Sequence, residues 1–236
     1  MNLKSISLFF PAYNEEKNIS ATIANALRVA KQVSPNYEVI IVNDGSTDNT
    51  AQVVEEAARL NPNVRVVHHS PNKGYGAALL SGINAARYEY VFFSDGDGQF
   101  DLAEITKLIK HTPEYDVVLG YRARRQDNFL RRLNGQAWSW LNRLLFGLKV
   151  KDIDCAFKLF KTNLVKNLPV ISQGAMLSAE LLIVLQNQGV RFKEVAVKHL
   201  PRTAGSATGA NISVILKAFK EMIRVYLSDN YRKQKI

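Results

Sequence analysis

Four apolar runs in the first half of the chain lack the inward–outward alternation of a half-exposed strand, and each runs straight into a polar cluster. Strands of that kind are buried on both faces, which calls for a largely parallel sheet with helices on either side. The runs are SISLFFPAY (5–13), YEVIIVND (37–44), VRVVHH (64–69) and YVFFSD (90–95). Helical patterns alternate with them. Ile19, Ile23, Ala26, Leu27 and Ala30 keep the spacing of one buried helix face. Ser46-Thr47-Asp48 caps a second helix, which turns Val53, Val54, Ala57, Ala58 and Leu60 inward. AALLSGINAAR (77–87) and the stretch around Leu102 to Ile109 supply two more. Beyond them the pattern predicts a strand at 116–122, helices at 129–147 and 175–188, a strand at 190–198 and a C-terminal helix from about 211. No Pro/Gly linker and no internal repeat interrupts the chain, so it reads as one α/β domain.

A chain of 236 residues buries roughly 70% of its unfolded surface and needs no staple. Its one cysteine, Cys155, forms no internal disulfide, and no Cys/His cluster offers a zinc site. That usage suits a reducing, cytoplasmic compartment. The longest strongly apolar run, Leu181 to Leu185, falls far short of the about 20 residues that cross a bilayer. SISLFF meets PAYNEE before a signal-peptide core develops, so no leader is expected. The unusual feature is charge: 31 basic against 21 acidic residues, a net +10. Nucleic acid, a membrane surface and a phosphorylated substrate are all partners for such an excess.

In an open parallel sheet, ligands bind beyond the carboxyl ends of the strands. PAYNE, NDGSTD, NKGYG and DGDGQFD follow the four runs, so all four clusters converge on one crevice. Asp95 and Asp97 stand two apart between glycines. Such a pair suits a magnesium or manganese ion whose other ligands are waters and phosphate oxygens, and which neutralises a diphosphate leaving group. A solvated acidic turn before Asp101 is the plainer reading, and the position after an apolar strand weighs against it. Asp44 ends a buried strand, where its carboxylate is placed to accept from a base or ribose; anchoring the turn at Gly45-Ser46 is a plainer role that does not exclude the first. Tyr13 and Glu15 are placed to stack on and hydrogen-bond a nucleoside, or else to pack and to complement a helix dipole. Lys73-Gly74-Tyr75-Gly76 has the look of a phosphate-binding turn. It fails the dinucleotide fingerprint at Leu79 and lacks the Gly-Lys-Ser/Thr of a P-loop.

Taken as an ordered set, these segments resemble the inverting family 2 glycosyltransferases of GT-A fold, above all the dolichyl-phosphate mannose synthases and polyprenyl-phosphate glucosyltransferases. The resemblance rests on Pro11-Ala12-Tyr13-Asn14-Glu15, Val42-Asn43-Asp44-Gly45-Ser46-Thr47-Asp48, Asn72-Lys73-Gly74-Tyr75-Gly76 and Asp95-Gly96-Asp97-Gly98-Gln99. It continues through Asp154-Cys155-Ala156-Phe157-Lys158-Leu159-Phe160 and Arg202-Thr203-Ala204-Gly205-Ser206-Ala207. Two departures stand out: Ala156 replaces the family's glycine, and Ser206 follows Gly205 directly, so either Ser206 or Thr208 stands for the family's hydroxyl. The resemblance implies a single GT-A domain over residues 1–210 and a basic amphipathic helix and tail over 211–236. It implies donor contacts from Pro11, Tyr13, Glu15, Val42, Asp44, Lys73, Asp95, Gly96, Asp97 and Gln99, with Asp95, Asp97 and Gln99 holding magnesium or manganese. Asp97, Arg122, Asp154 and Arg202 are the expected catalytic residues. Arg122, Arg131, Arg202 and Ser206 are expected to hold the acceptor phosphate.

Charge bears on the acceptor independently. Arg122, Arg124, Arg125, Arg131 and Arg132 face only Asp127 in their stretch. A hydroxyl acceptor needs a general base. A phosphate monoester is already mostly dianionic near neutrality, and what it needs is cations. Two amphipathic helices add a second theme. Leu130, Leu133, Ala137, Leu141, Leu144 and Leu145 form a stripe in 129–147, widened by Trp138, Trp140 and Phe146, while Ile212, Ile215, Leu216, Phe219, Ile223, Tyr226 and Leu227 form one at the C-terminus. Basic residues flank both, as in helices that lie in a membrane interface or pack on the domain or a partner. The expectation is therefore an inverting transferase that moves a hexose, mannose or glucose, from GDP-mannose or UDP-glucose to a polyprenyl phosphate. It would sit peripherally at the cytoplasmic face of a membrane, with a membrane-protein partner or a second copy as further associates and no nucleic acid. Its rivals are the same donor site with a saccharide or protein hydroxyl acceptor, a basic nucleic-acid- or membrane-binding module, and a degenerate scaffold.

Overall fold

The computed structural model describes residues 2–123, 129–201 and 212–228, with side chains left out for 129–133 and 212–213. Among these residues one sheet forms in the order β3-β2-β1-β4-β6-β5-β7. Its strands are β1 (Ser5–Ala12), β2 (Asn36–Asp44), β3 (Val64–His69), β4 (Tyr90–Ser94), β5 (Val117–Arg122), β6 (Phe157–Lys161) and β7 (Phe192–Val197). All pairings are parallel except those of β6, which runs antiparallel to β4 and to β5. The helices are α1 (Ile19–Val33), α2 (Thr50–Leu60), α3 (Tyr75–Ala85), α4 (Ile105–Ile109), α5 (Phe129–Phe146), α6 (Thr162–Val165), α7 (Leu177–Asn187) and α8 (Ile212–Leu227).

The central strands are apolar because both faces are covered. Ile6, Leu8 and Phe10 of β1, Val39 to Val42 of β2 and Val91 and Phe92 of β4 have no accessible surface. Phe9 stacks on Phe93 with 5.6 Å between ring centroids, and Phe92 meets Phe157 edge-on at 4.7 Å. Burying each such ring contributes roughly 1.5–3 kcal/mol. The Leu181–Leu185 run belongs to α7, whose residues from Leu177 to Leu185 are all buried. It is apolar all round because it is a core helix. No helix among the described residues is long and apolar enough to cross a membrane.

Four details depart from the sequence reading. β3 is the sheet edge, so it is half-exposed where full burial was expected. Leu60 points outward, 74% exposed, because α2 ends there. The helix expected over 102–109 begins as a 3-10 turn at Leu102–Glu104, where the Asp101 carboxylate accepts from the Ala103 N–H at 3.1 Å. β6 and α6 were not anticipated: FKLFK is five residues long and carries two lysines, which hides a buried strand from any periodicity argument.

Candidate active site

β1, β2, β4 and β5 end on the same side, and the reversed β6 begins there, with Phe157 opposite Ser94. The polar clusters, Arg122 and segment 152–156 therefore surround one crevice. The first two loops are laced together. Asn14 (φ 56) accepts from the Thr47 N–H at 2.8 Å, and its own N–H donates to the Ser46 hydroxyl at 3.0 Å. The Glu15 N–H donates to the Thr50 hydroxyl at 2.9 Å, and the Glu16 N–H to the Asp48 carboxylate at 3.2 Å. This lacing leaves Tyr13 exposed at the rim. Pro11 and Glu15 are half-buried beside it.

Asp44 is buried, and its carboxylate is engaged by the neighbouring loop. It accepts from the N–H groups of Lys73 and Gly74, both at 2.9 Å, and lies 2.6 Å from His69 Nδ1. The Asn72 amide closes on the Asp44 carbonyl at 2.6 Å, and His69 Nε2 lies 2.8 Å from the Ser81 hydroxyl. The Asp44 carboxylate thus anchors the 72–74 loop and not the turn at Gly45-Ser46, where the Ser46 N–H donates to Asn43 Oδ1 at 3.2 Å; the Lys73 side chain is left exposed. Gly45 permits it: at φ 68, a Cβ there would stand 2.5 Å from the Asn72 nitrogen. Val42 is fully buried and offers the crevice no surface.

Asp95 and Asp97 form the acid pair at the end of β4. Tyr75 donates its hydroxyl to Asp95 at 3.2 Å, and the Gln99 N–H donates to Asp97 at 3.1 Å. Loss of hydration, reinforced by the Asp97 charge, pushes the Asp95 carboxyl up to about 7. The Gly96 carbonyl is held by the Thr22 hydroxyl at 3.0 Å. Gln99 is buried; its amide donates to the Leu200 carbonyl at 3.2 Å, and the Leu200 N–H returns to the Gln99 carbonyl at 2.8 Å. No group of three or more acidic, His or Cys side chains among the described residues is arranged as a metal cage. Two neighbouring carboxylates, one of them reluctant to ionise, still fit a hard divalent cation. A cation held there would relieve their repulsion and supply charge neutralisation to a diphosphate.

The cationic wall is more elaborate than its sequence. Arg122 grips Asp152 through a fork, Nε and Nη2 each at 2.7 Å from a carboxylate oxygen. Burial works against the guanidinium charge, but the Asp152 fork outweighs it and holds Arg122 protonated above its ordinary range. Lys158 is buried in β6, donating to the carbonyls of Ile153 at 2.9 Å and Cys155 at 2.6 Å, with its ammonium 5.1 Å from the Phe93 ring centre. Burial lowers its pKa, and the Asp154, Asp152 and Asp95 carboxylates pull it part of the way back. The Cys155 thiol, buried and beside Asp152, is pushed up to about 12 and stays protonated. Asp154 is exposed at the crevice, and its charge reaches Tyr75, Arg122 and Lys158.

Arg202, Ser206, Arg124 and Arg125 lie outside the described residues, as does the side chain of Arg131. The crevice brings together Asp95, Gly96, Asp97, Gln99, Arg122 and Asp154. Sequence reasoning missed His69, Asp152 and Lys158 as parts of it. Only Lys158 left a signal, a charged residue inside an apolar run.

Sheet order, strand-end crevice and acid pair together define a GT-A domain. The glycosyl transferase family 2 model matches residues 7–168, so the chain belongs to that family. A curated relative, the undecaprenyl-phosphate 4-deoxy-4-formamido-L-arabinose transferase of Pectobacterium carotovorum, is 30% identical over 91% of this chain and 65% of its own length. The transferase of the same name from Edwardsiella ictaluri is 28% identical over 87% of this chain and 63% of its own length. The chain thus spans just under two thirds of these relatives. Among solved structures, glucosyl-3-phosphoglycerate synthase from Mycobacterium tuberculosis bound to uridine diphosphate shares the fold. Its TM-score is 0.73 at 18% identity, covering 94% of this chain and 80% of that one. The same enzyme with Mn2+, UDP-glucose and glycerol 3-phosphate aligns with a TM-score of 0.73 at 17% identity, over the same shares.

Proposed function

We propose that this chain transfers a sugar from a nucleotide-diphosphate donor to a polyprenyl phosphate, with inversion at the anomeric carbon. The observation that carries the reading is one crevice holding an acid pair opposite a fixed arginine, with no general base required. Asp95 and Asp97, with Gln99 beside them, would hold magnesium or manganese against the donor diphosphate. A bound divalent ion supplies charge neutralisation to the leaving diphosphate. Tyr13 and Glu15 line the nucleoside side, and the loop anchored on Asp44 presents Lys73. Arg122 is kept charged and oriented by Asp152, so it meets phosphate oxygens without having to reorganise. One oxygen of the acceptor phosphate forms the new bond to the anomeric carbon as the bond to the donor diphosphate breaks. The dianionic nucleophile gives up no proton in that step. Asp154, Arg131, Arg202 and Ser206 complete the acceptor side in this reading.

The names of the relatives support polyprenyl phosphate as acceptor, and the solved neighbour crystallised with Mn2+ and UDP-glucose supports a metal-assisted nucleotide-sugar site. The finer proposal is a hexose donor and a peripheral position at the cytoplasmic membrane face. Thermal-shift titration with GDP-mannose, UDP-glucose and a nucleotide-linked 4-deoxy-4-formamido-L-arabinose, each with Mn2+, separates the donors. A response to the arabinose donor alone rejects the hexose. Transfer assays offering undecaprenyl or dolichyl phosphate against saccharides then test the acceptor. Asp97→Ala is expected to abolish transfer with the fold intact, and near-full activity in that variant overturns the acid-pair assignment.

A further inference from the structure

β2 and β3 end side by side. Their last register pair is Asp44 with His69, and the pair before it is Asn43 with His68. Successive strand residues face opposite sides of a sheet, so the two histidines lie on different faces. His68 is exposed, with Nδ1 3.0 Å from the Asn43 amide nitrogen and Nε2 2.6 Å from the Glu55 carboxylate. His69 is buried, with Nδ1 2.6 Å from Asp44 and Nε2 2.8 Å from the Ser81 hydroxyl.

A carboxylate only accepts, so His69 carries a proton on Nδ1, and in the neutral ring Nε2 accepts from the Ser81 hydroxyl. Three elements meet at this imidazole. Ser81 belongs to α3, His69 to β3 and Asp44 to β2. The other two donors on Asp44, the N–H groups of Lys73 and Gly74, belong to the loop that joins β3 to α3. Ser81 thus orients the imidazole, the imidazole orients the carboxylate, and the carboxylate holds the loop. Apolar packing asks for none of this. Burying both ring nitrogens costs hydration that these two hydrogen bonds offset.

We infer that His69 is a positioning residue for the donor: through Asp44 it holds the 72–74 loop, and with it Lys73, in the conformation that receives a nucleoside diphosphate. Its reach is bounded. Beyond Gly74 the chain is gripped from the other side, where residues 173–174 close on Gly76, so Tyr75 and the acid pair keep their places without His69. Donor binding is therefore the step that His69 governs, and turnover of bound donor is not. In that purpose the inference rests on the proposed function; in its effect on the loop it does not.

Residue-resolved hydrogen–deuterium exchange at the Lys73 and Gly74 amides reads the loop with no nucleotide present. Calorimetric titration with UDP and with GDP, each with Mn2+, reads the donor side. His69→Phe is expected to speed exchange at both amides about tenfold or more. It weakens the nucleotide that binds by about tenfold, the scale of one hydrogen bond to a charged group. Donor KM rises in step, and kcat stays within about twofold. His69→Asn keeps an N–H where Nδ1 stood and restores most of the protection and affinity. His69→Gln, whose amide reaches the Nε2 position instead, restores neither. Ser81→Ala weakens binding about threefold and adds nothing in the His69→Phe background, because its effect passes through the ring. His68→Gln, on the other face, changes neither measurement. If His69→Phe loses its fold, the Asn and Gln variants and Ser81→Ala carry the test. Exchange at Lys73 and Gly74 indifferent to these variants overturns the inference, as do equal losses in His69→Asn and His69→Gln, or a fall in kcat with donor KM unmoved. Exchange that responds as expected in a wild type binding neither nucleotide sinks the donor reading and leaves the loop anchor standing.

Discussion

The Asp95 carboxyl, at the end of β4, is raised from 3.8 to about 7 by loss of hydration and by Asp97. The sign of the consequence follows from linkage. Between about pH 4 and 7 the folded chain keeps a proton that the unfolded chain has released, so stability declines as pH rises through that window. In chelating buffer, the melting temperature of the wild type is expected to fall more steeply from pH 5 to pH 7 than that of Asp95→Asn, which has nothing to titrate there. Parallel curves in differential scanning calorimetry rule this out. Lys158 argues the complementary case. Its ammonium donates to two carbonyls of the segment that carries Asp152 and Asp154. Lys158→Met orphans those carbonyls at about 1–3 kcal/mol, partly offset because a buried charge is also removed. The variant is expected to fold and to keep its donor KM while kcat falls about tenfold or more, as Asp152 and with it Arg122 lose their fixed position. Wild-type kcat in steady-state assays removes Lys158 from this role.

Among the elements, the N-terminus of α3 is the tightest junction. Gly76 packs so closely on residues 173–174 that a Cβ there would lie 2.5 Å from both carbonyl oxygens. Those two residues cannot retreat freely, because Glu221 of α8 binds their N–H groups and Glu180 of α7 binds the N–H groups of Ile171 and Ser172, both at 2.8 Å. Gly76→Ala therefore forces a methyl group against backbone carbonyls that cannot give way. A destabilisation of about 1–3 kcal/mol in urea unfolding is expected, with weaker donor binding because Tyr75 is displaced from Asp95. A variant as stable as the wild type refutes the junction. Helix α5 shows how an element resolves an ambiguity that its sequence leaves open. Packing on the domain and exposure to a membrane read as competing fates for one broad apolar stripe. The structure gives Leu141 and Leu145 to the core and leaves Trp140 and Leu144 outside.

At the scale of the whole molecule, the reversed strand β6 is the decisive feature of the topology. By running antiparallel between β4 and β5 it brings segment 152–156 to the carboxyl ends of its neighbours, beside the acid pair. Arg143, Lys217, Lys220 and Arg224 stand exposed on α5 and α8, whereas the crevice gathers Asp44, Asp95, Asp97, Asp152 and Asp154 around Arg122 and Lys158. The two groups respond differently to salt. Exposed cations on a lipid surface are screened once the Debye length contracts, whereas carboxylates meeting a metal–diphosphate act at contact distance. Raising NaCl from about 50 mM to about 500 mM, a contraction of the Debye length of about threefold, is expected to release the chain from anionic vesicles while donor affinity changes far less. Equal losses in flotation and calorimetric titration contradict this division.

Sequence alone determined the parallel α/β architecture, because strands buried on both faces leave no other arrangement for runs such as YEVIIVND. It also located the crevice, since polar clusters at strand ends can converge on only one side of a parallel sheet. It singled out Asp95, Asp97 and Arg122 by residue type and position, and Asp154 through the family resemblance. What it left undecided were relations between residues far apart in the chain. Asp44 was legible as an acid at a strand end, but only the fold brings Lys73, Gly74 and His69 around it. Arg122 was legible as a cation, but its partner Asp152 lies 30 residues away in a segment with no periodicity. A five-residue strand with a lysine at its second position shows an odd charge in an apolar run but no period that marks a strand. It becomes β6 because the sheet has a place for it, and because Lys158 finds two carbonyls once it is there. Local pattern fixes what a segment needs to bury, and only tertiary packing decides which polar groups meet the need of the others.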